Sequence, residues 1–294
     1  MKPLPGDPAL PATLPAPLPR LSQARVELTR AATIVDAEGH RRAIRIPLER
    51  ALTIYVDRGE VVTLMTLGQY PEWLVLGYLL NQRLIADARE LDSITVDWDT
   101  GAAAARSRAG LPDLGARLGR RVVTTGCGQG TVFGDVLSAA EGLVLPPPRA
   151  SGVAVAAVIG ALEVVRSLPS VHREAGSVHG TALLRGSELL FHVEDVGRHN
   201  AVDTLAGWMA MHGVGGGDKL IVTTGRLTSE MVMKAASCGV PVVVSRNGIT
   251  AMGLALAQRL GMTLLGRASG RRFLCYCGDE RLLGLPPPPE PAPA

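Results

Sequence analysis

Cysteine is scarce in this 294-residue chain, which carries only Cys127, Cys238, Cys275 and Cys277. A secreted scaffold stapled by disulfides packs more thiols into a shorter chain, so that class is excluded. Long apolar runs are missing as well. The most apolar stretch, Val153 to Leu162, ends at Glu163 and is too short to span a bilayer as a helix. No basic region followed by an apolar one opens the chain, where Pro, Leu and Ala alternate from Pro3 to Pro19. A cytoplasmic protein without a membrane partner is the expectation. Lysine is rare too, and the basic residues are nearly all arginine. The net charge of +3 is too small to point to nucleic acid.

What the chain does have is enough apolar surface for a large core, at 47% hydrophobic and 19% charged residues. Residues 1–22 and 286–294 are proline-rich and of low complexity, and disorder is expected of both. Leu52–Val56 and Val61–Met65 are β-rich runs joined by Asp57-Arg58-Gly59-Glu60, which predicts a hairpin. Pro71-Glu72 opens a helix, and Ser93–Trp98 reads as a strand. The Ala/Arg-rich stretch from Gly101 to Gly119 has little pattern and is expected to be peripheral.

Beyond Pro146-Pro147-Pro148 the pattern predicts a helix over 151–168, with Ser151 as its N-cap. Strands follow at Thr181–Leu184, Leu189–Val193, Lys219–Thr224, Pro241–Ser245 and Thr263–Leu265. Helices at Asn200–Met211, Ser229–Ser237 and Thr250–Leu260 are interleaved with them. Such alternation indicates an α/β domain over 146–285, with a β-rich part over 23–145 before it.

The β-branched run Val122–Thr125 feeds into Gly126-Cys127-Gly128-Gln129-Gly130. Three glycines strip the bulk from around one thiol and permit close approach by a partner. The densest polar cluster is Glu194-Asp195-Val196-Gly197-Arg198-His199-Asn200, at a strand-to-helix junction. It can bind a phosphate, a carboxylate or a purine edge, or act as a capping and salt-bridge network. Two more polar loops leave neighbouring strands, Thr223 to Glu230 and Ser245 to Thr250. In α/β sheets ligands sit beyond the strand C-termini. His192-Val193-Glu194 matches half of a zinc-deaminase signature, but the Pro-Cys-x-x-Cys half is missing and Cys275-Tyr276-Cys277 has the wrong spacing. No zinc is therefore expected.

From about Pro47 to Arg281 the sequence resembles the FdhD/NarQ family of formate dehydrogenase accessory sulfurtransferases. The resemblance rests on Gly126-Cys127-Gly128, Val178-His179-Gly180 and, above all, the ten residues from Glu194 to Asp203. Gly225-Arg226 with Ser229-Glu230, Val244-Ser245-Arg246 and Thr263–Gly266 add to it. It implies a cytidine-deaminase-like three-layer α/β domain with a mixed sheet and a smaller N-terminal β-rich subdomain. It also implies a sulfurtransferase that takes persulfide sulfur from a cysteine desulfurase onto Cys127. The sulfur would pass to the bis-molybdopterin guanine dinucleotide cofactor, with molybdenum or tungsten, destined for the formate dehydrogenase catalytic subunit.

The GDP-like arms of that cofactor would lie among His179, Asp195, Arg198, His199, Asn200, Gly225, Arg226, Ser229 and Ser245. Arg267, Ala268, Ser269, Gly270, Arg271 and Arg272 match a family stretch associated with cofactor contact. Two departures stand out. Many members have a second cysteine where this chain has Gly130, and the cofactor stretch often has an aromatic residue and an arginine where Arg267 and Ser269 stand. A single-cysteine carrier is one expectation; a chaperone that binds the cofactor without transferring sulfur is the other. A homodimer would suit a cofactor with two nucleotide arms.

Overall fold

The computed structural model describes residues 16–111 and 140–285. The expected Cys127 loop, residues 1–15 of the N-terminal proline-rich stretch and all of the C-terminal one (286–294) lie outside the described residues. In chain order the strands are β1 (Arg20–Leu21), β2 (Thr29–Val35), β3 (Arg41–Pro47), β4 (Arg50–Val56) and β5 (Gly59–Thr66). Helix α1 (Pro71–Asn81) follows, then β6 (Leu91–Asp97) and β7 (Ala102–Ser107). After Ala140 come β8 (Val153–Ala154), α2 (Val155–Ser167), α3 (Val171–Ala175), β9 (His179–Arg185), β10 (Glu188–Asp195) and α4 (Arg198–His212). The remainder is β11 (Leu220–Thr223), α5 (Ser229–Ser237), β12 (Val242–Ser245), α6 (Ala251–Arg259), β13 (Thr263–Ser269), β14 (Arg272–Cys277) and β15 (Leu282–Leu283).

Two sheets organise the chain. The first has the order β1-β6-β7-β4-β5, and the second the order β10-β9-β11-β12-β13-β14. Within the second, β11, β12 and β13 run parallel and the others pair antiparallel. Period-2 alternation sorts its side chains between two faces. Ile221, Val243 and Leu264 pack against Leu205, Met209, Val232 and Leu256 of α4, α5 and α6. Leu220, Val222, Val242, Val244 and Leu265 instead pack against Val158, Ala161 and Leu162 of α2. The first sheet buries Leu52, Ile54, Ile94 and Ala103 against Val75, Leu76 and Leu79 of α1.

Helices α1 and α4 then join the two halves at van der Waals contact between backbones. A Cβ at Gly77 would lie 1.7 Å from the Asp203 carbonyl oxygen, and one at Gly207 would lie 2.0 Å from that of Trp73. Only glycine at both positions lets the helices come so close. Beside the crossing, Tyr70 stacks on Trp73 at 4.8 Å and Phe191 on Trp208 at 4.9 Å, closing one end of the seam with aromatic rings.

Three expectations change, and one element is new. Residues 102–107 are not peripheral: β7 lies inside the first sheet between β6 and β4, with Ala103 and Ala105 buried. Alanine's low β-propensity hid the alternation. The disorder expected through residue 22 does not hold for its described part, because β1 pairs in parallel with β6 (Arg20 opposite Ser93) and the Ser22 hydroxyl donates to Glu72 at 2.5 Å. The β2–β3 hairpin had no sequence reading at all. Ser151 is not a helix N-cap, since α2 begins at Val155. Its hydroxyl donates to the Pro147 carbonyl at 2.9 Å and accepts from Arg281.

Arg281 is fully buried, and its hydrogen bonds go to neutral acceptors. Besides Ser151, its guanidinium donates to the carbonyls of Pro146 (3.1 Å) and Gly261 (2.8 Å) and to the Thr263 hydroxyl (3.2 Å). It ties the start of the α/β half to its last strands through neutral acceptors alone.

The helix crossing makes a prediction whose sign is opposite to helix propensity. Alanine in place of a mid-helix glycine normally stabilises by about 1 kcal/mol. Here Gly207→Ala is expected to destabilise by about 3 kcal/mol through overpacking. Urea unfolding measures it, and a neutral or stabilised variant would disprove the close crossing.

Candidate functional site

The parallel strands β11, β12 and β13 end at one edge of the second sheet, and the antiparallel partners bring two more termini there. His179 opens β9 opposite Asp195 at the end of β10, and Thr181 pairs with Thr223 at the end of β11. His179, Asp195, Thr223, Ser245 and the Arg267–Ser269 end of β13 therefore share an edge.

Within the Glu194–Asp203 motif, all three acids are committed internally. Asp195 is buried and accepts from the Thr66 hydroxyl, the Leu67 N–H (3.1 Å), the Gly197 N–H (2.9 Å) and the Asn200 amide (2.9 Å). Burial raises its pKa, and those hydrogen bonds oppose the rise. Asn200 also donates to the Met65 carbonyl at 2.8 Å. Asp203 accepts from Asn81 and Lys234, each at 2.7 Å. Glu194 accepts from the Ser170 hydroxyl (2.6 Å) and from the N–H groups of Val171 (2.5 Å) and His172 (3.2 Å), capping α3. The capping-network reading of this motif thus describes its acids and Asn200.

Arg198 and His199 of the motif are different. Arg198 Nε and both His199 ring nitrogens are buried without a hydrogen bond. His199 Nε2 lies 3.3 Å from Glu230 Oε2, an ion-pair contact available only to a protonated ring. Burial, together with Lys234, Arg198, His179 and Arg226, pushes His199 down to about 2, so the ring is neutral. Burial and the Arg226 charge also lower Arg198, and burial with Arg198 lowers His179. Arg198 packs over Gly225, where a Cβ would lie 2.9 Å from the Arg198 Cβ. Ser245 is wholly buried, donating to the Gly225 carbonyl at 2.6 Å and accepting from the Asn247 N–H at 2.9 Å. Ser229 is buried at the start of α5, and Arg226 is exposed.

A cavity of about 430 Å³ opens beside these loops. Thr223, Thr224 and Arg246 line it from β11 and β12, and Ala268, Ser269 and Gly270 from the end of β13. The opposite wall is Leu162, Val165 and Arg166 of α2 with Ser170, His172 and Arg173 around α3. Arg166, Arg173, His172 and Arg246 face one acid, Glu194, whose carboxylate is already capping α3. An anion with an apolar flank fits such walls. The α2–α3 wall was missed in sequence because Arg166, His172 and Arg173 look like ordinary helix-end cations; their clustering around Pro169-Ser170 was the available signal. Arg267, Arg271 and Arg272 are exposed and do not line the cavity.

Thiols elsewhere are poor nucleophiles. Burial pushes Cys238 up to about 12 and Cys275 up to about 11, and also raises Cys277. Cys127 lies outside the described residues. Among the described residues no cluster of His, Cys, Asp and Glu could hold a metal ion, and no helix is long and apolar enough to cross a membrane.

The sequence profile of the FdhD/NarQ family matches residues 47–283. The chain belongs to that family. FdhD relatives named sulfur carrier protein include those of Bacillus licheniformis (32% identical, covering 80% of this chain and 88% of the relative) and Geobacillus kaustophilus (30%, covering 81% and 90%). The Listeria monocytogenes serotype 4b protein of the same name is 28% identical, covering 81% and 91%. A crystal structure described as that of a formate dehydrogenase accessory protein from Desulfotalea psychrophila superposes with a TM-score of 0.67. It is 26% identical and covers 87% of this chain and 98% of its own. The mixed α/β architecture with several sheets is thus shared with an accessory protein of formate dehydrogenase.

His199, a residue of the FdhD/NarQ motif, carries a pH prediction. Its folded pKa lies below the ordinary 6.5, so between 6.5 and about 2 the unfolded chain binds the extra proton. Stability is full above 6.5 and falls as the pH drops through that window. The expected loss between pH 7 and 5 is about 2 kcal/mol, and His199→Gln should flatten it. Thermal melts across that range decide; an unchanged slope in the variant would show that His199 is not buried neutral.

Proposed function

We propose that this protein is a sulfur carrier for formate dehydrogenase maturation, with Cys127 as the carrying thiol. A cysteine desulfurase presents a persulfide, and the Cys127 thiolate attacks its outer sulfur. The donor's S–S bond breaks, a new one forms on Cys127, and the desulfurase cysteine leaves as thiolate. The outer sulfur would then pass to the substrate, the bis-molybdopterin guanine dinucleotide cofactor of molybdenum or tungsten, as the S–S bond on Cys127 breaks; two electrons from the substrate's reduced metal would take that sulfur to sulfide, and Cys127 would leave as thiolate before the cofactor enters the formate dehydrogenase catalytic subunit. The names of the family relatives support this reading, as do the raised pKa values of the other three thiols.

The observation that carries the nucleotide part is the cationic cavity at the strand ends, bordered by Ala268–Gly270. Its volume lies within the range of ligand pockets. Arg246, Arg166 and Arg173 would meet phosphate oxygens, and Leu162 and Val165 would flank the base. Arg198, whose Nε is buried without a partner, stands at the same strand-end edge but outside the cavity's lining. Asp195 and Asn200 would act by holding the loop. A cytidine-deaminase-like ancestry, a cytoplasmic location and a homodimer holding both nucleotide arms complete the proposal.

Two measurements test it. Cys127→Ala in cells is expected to abolish formate dehydrogenase activity while leaving the amount of its catalytic subunit unchanged. Retained activity would favour the cofactor-holding chaperone, for which Gly130 in place of a second loop cysteine already speaks. In calorimetry with GDP, Arg246→Ala should weaken binding about tenfold, a loss of about 1.4 kcal/mol. Unchanged affinity would remove the cavity from the nucleotide site.

A further inference from the structure

The β2–β3 ribbon lies almost entirely ahead of residues 47–283, the stretch that the family profile covers. It forms a sheet of only two strands, whose pairing runs from Thr29 opposite Pro47 to Val35 opposite Arg41. A two-stranded hairpin buries too little to be stable on its own in water. This one is held at its base. The Arg45 guanidinium donates to Thr29 and lies 3.2 Å from Glu174 of α3. From there it extends with both faces largely exposed.

Its composition is one-sided. The two strands carry Arg30, Arg41, Arg42 and Arg45 and no acid. The acids of the ribbon sit in its turn, where Asp36 accepts from the N–H groups of Glu38 and His40 at 3.0 Å and pairs with Arg42 at 3.3 Å. Arg30 and Arg41 are exposed and have no acidic partner among the described residues. Cross-strand register puts Ala32, Ile34, Ile44 and Ile46 on one face, with Arg30 and Arg42 at its two ends. Ile44 is 42% exposed and Val35 58% exposed. Each strand also keeps one edge of backbone N–H and C=O groups unpaired by the other.

We infer that the ribbon is a docking arm for an extended, acidic segment of a partner protein, which adds a third strand to it. Main-chain hydrogen bonds to the free edge give affinity. Alternate apolar side chains extend the isoleucine row, the intervening carboxylates fall on the opposite face with Arg41, and Arg30 at the end of the row adds to the positive field. A nucleic acid suits the ribbon poorly. It would find no aromatic residue there to stack on and an apolar row between the arginines. Arg45 joins the ribbon to α3, which carries His172 and Arg173 of the cavity wall, so a partner docked there stands beside the cavity. The inference rests on the ribbon alone and holds whether or not sulfur is the cargo.

The test uses the full chain and a short fluorescent peptide alternating valine with glutamate. Saturable anisotropy is expected, at least about tenfold weaker for the Arg30→Glu/Arg41→Glu variant and weakened by salt. Both substituted positions are exposed and unpaired, so unchanged melting and GDP affinity would confirm a folded variant. Hydrogen exchange should slow at ribbon amides when peptide is bound. Absence of binding overturns the inference, as does binding without protection of the ribbon. Equal binding of a valine–lysine peptide or tighter binding of single-stranded DNA also overturns it. Sedimentation showing that the double substitution splits a dimer would do so too, since the ribbon would then be a self-interface.

Discussion

The structure depends on two glycines. Where α1 crosses α4, the helix backbones touch through Gly77 and Gly207, and no other residue type leaves room. Because the helices sit so close, short side chains can bridge the two halves of the protein. Asn81 at the end of α1 reaches Asp203, and Asp203 holds Lys234 on α5. One turn earlier on α4, Asn200 reaches Met65, and Asp195 at the end of β10 reaches Thr66 and Leu67, where β5 ends. A side chain at either glycine would separate these partners and leave charged groups buried alone, which costs far more than the pairs contribute when intact.

This arrangement explains why one motif serves two purposes. Its acids face inward and stitch the first sheet, α1 and α3 to the α/β half. Arg198 Nε and the neutral His199 ring are left buried near the strand-end edge without hydrogen-bond partners. For the proposed nucleotide site this would mean preorganisation: the hydrogen-bonded acids hold the Arg198 charge in place before a ligand arrives, and little ordering would remain to be done on binding. Glu194 extends the same logic to the cavity, since capping α3 fixes the turn that carries His172 and Arg173.

Much of this was legible in the sequence, for reasons that differ by element. The alternation of β-branched runs and helices after residue 150 gave the second sheet, because parallel strands buried on both faces read as continuous apolar runs. The β4–β5 hairpin was legible from its turn. Strand β7 was not, since Ala103 and Ala105 are buried and Ala104 is exposed, and a run of one residue type hides that alternation. The β2–β3 ribbon was unreadable because its exposed faces leave no hydrophobic period. At the site, the polar loops were found but their division of labour was not. Nothing local in Asp195 or Asn200 says that their partners lie more than a hundred residues away at Met65–Leu67. The α2–α3 wall depended on tertiary packing in the same way.

The central claim is that a single thiol in this chain carries sulfur. Intact-protein mass spectrometry after incubation with a cysteine desulfurase and cysteine addresses it most directly, with Cys127→Ala measured alongside. The account predicts a gain of one sulfur atom in the unmodified chain and none in the variant. A gain in both proteins, or in neither, would contradict it.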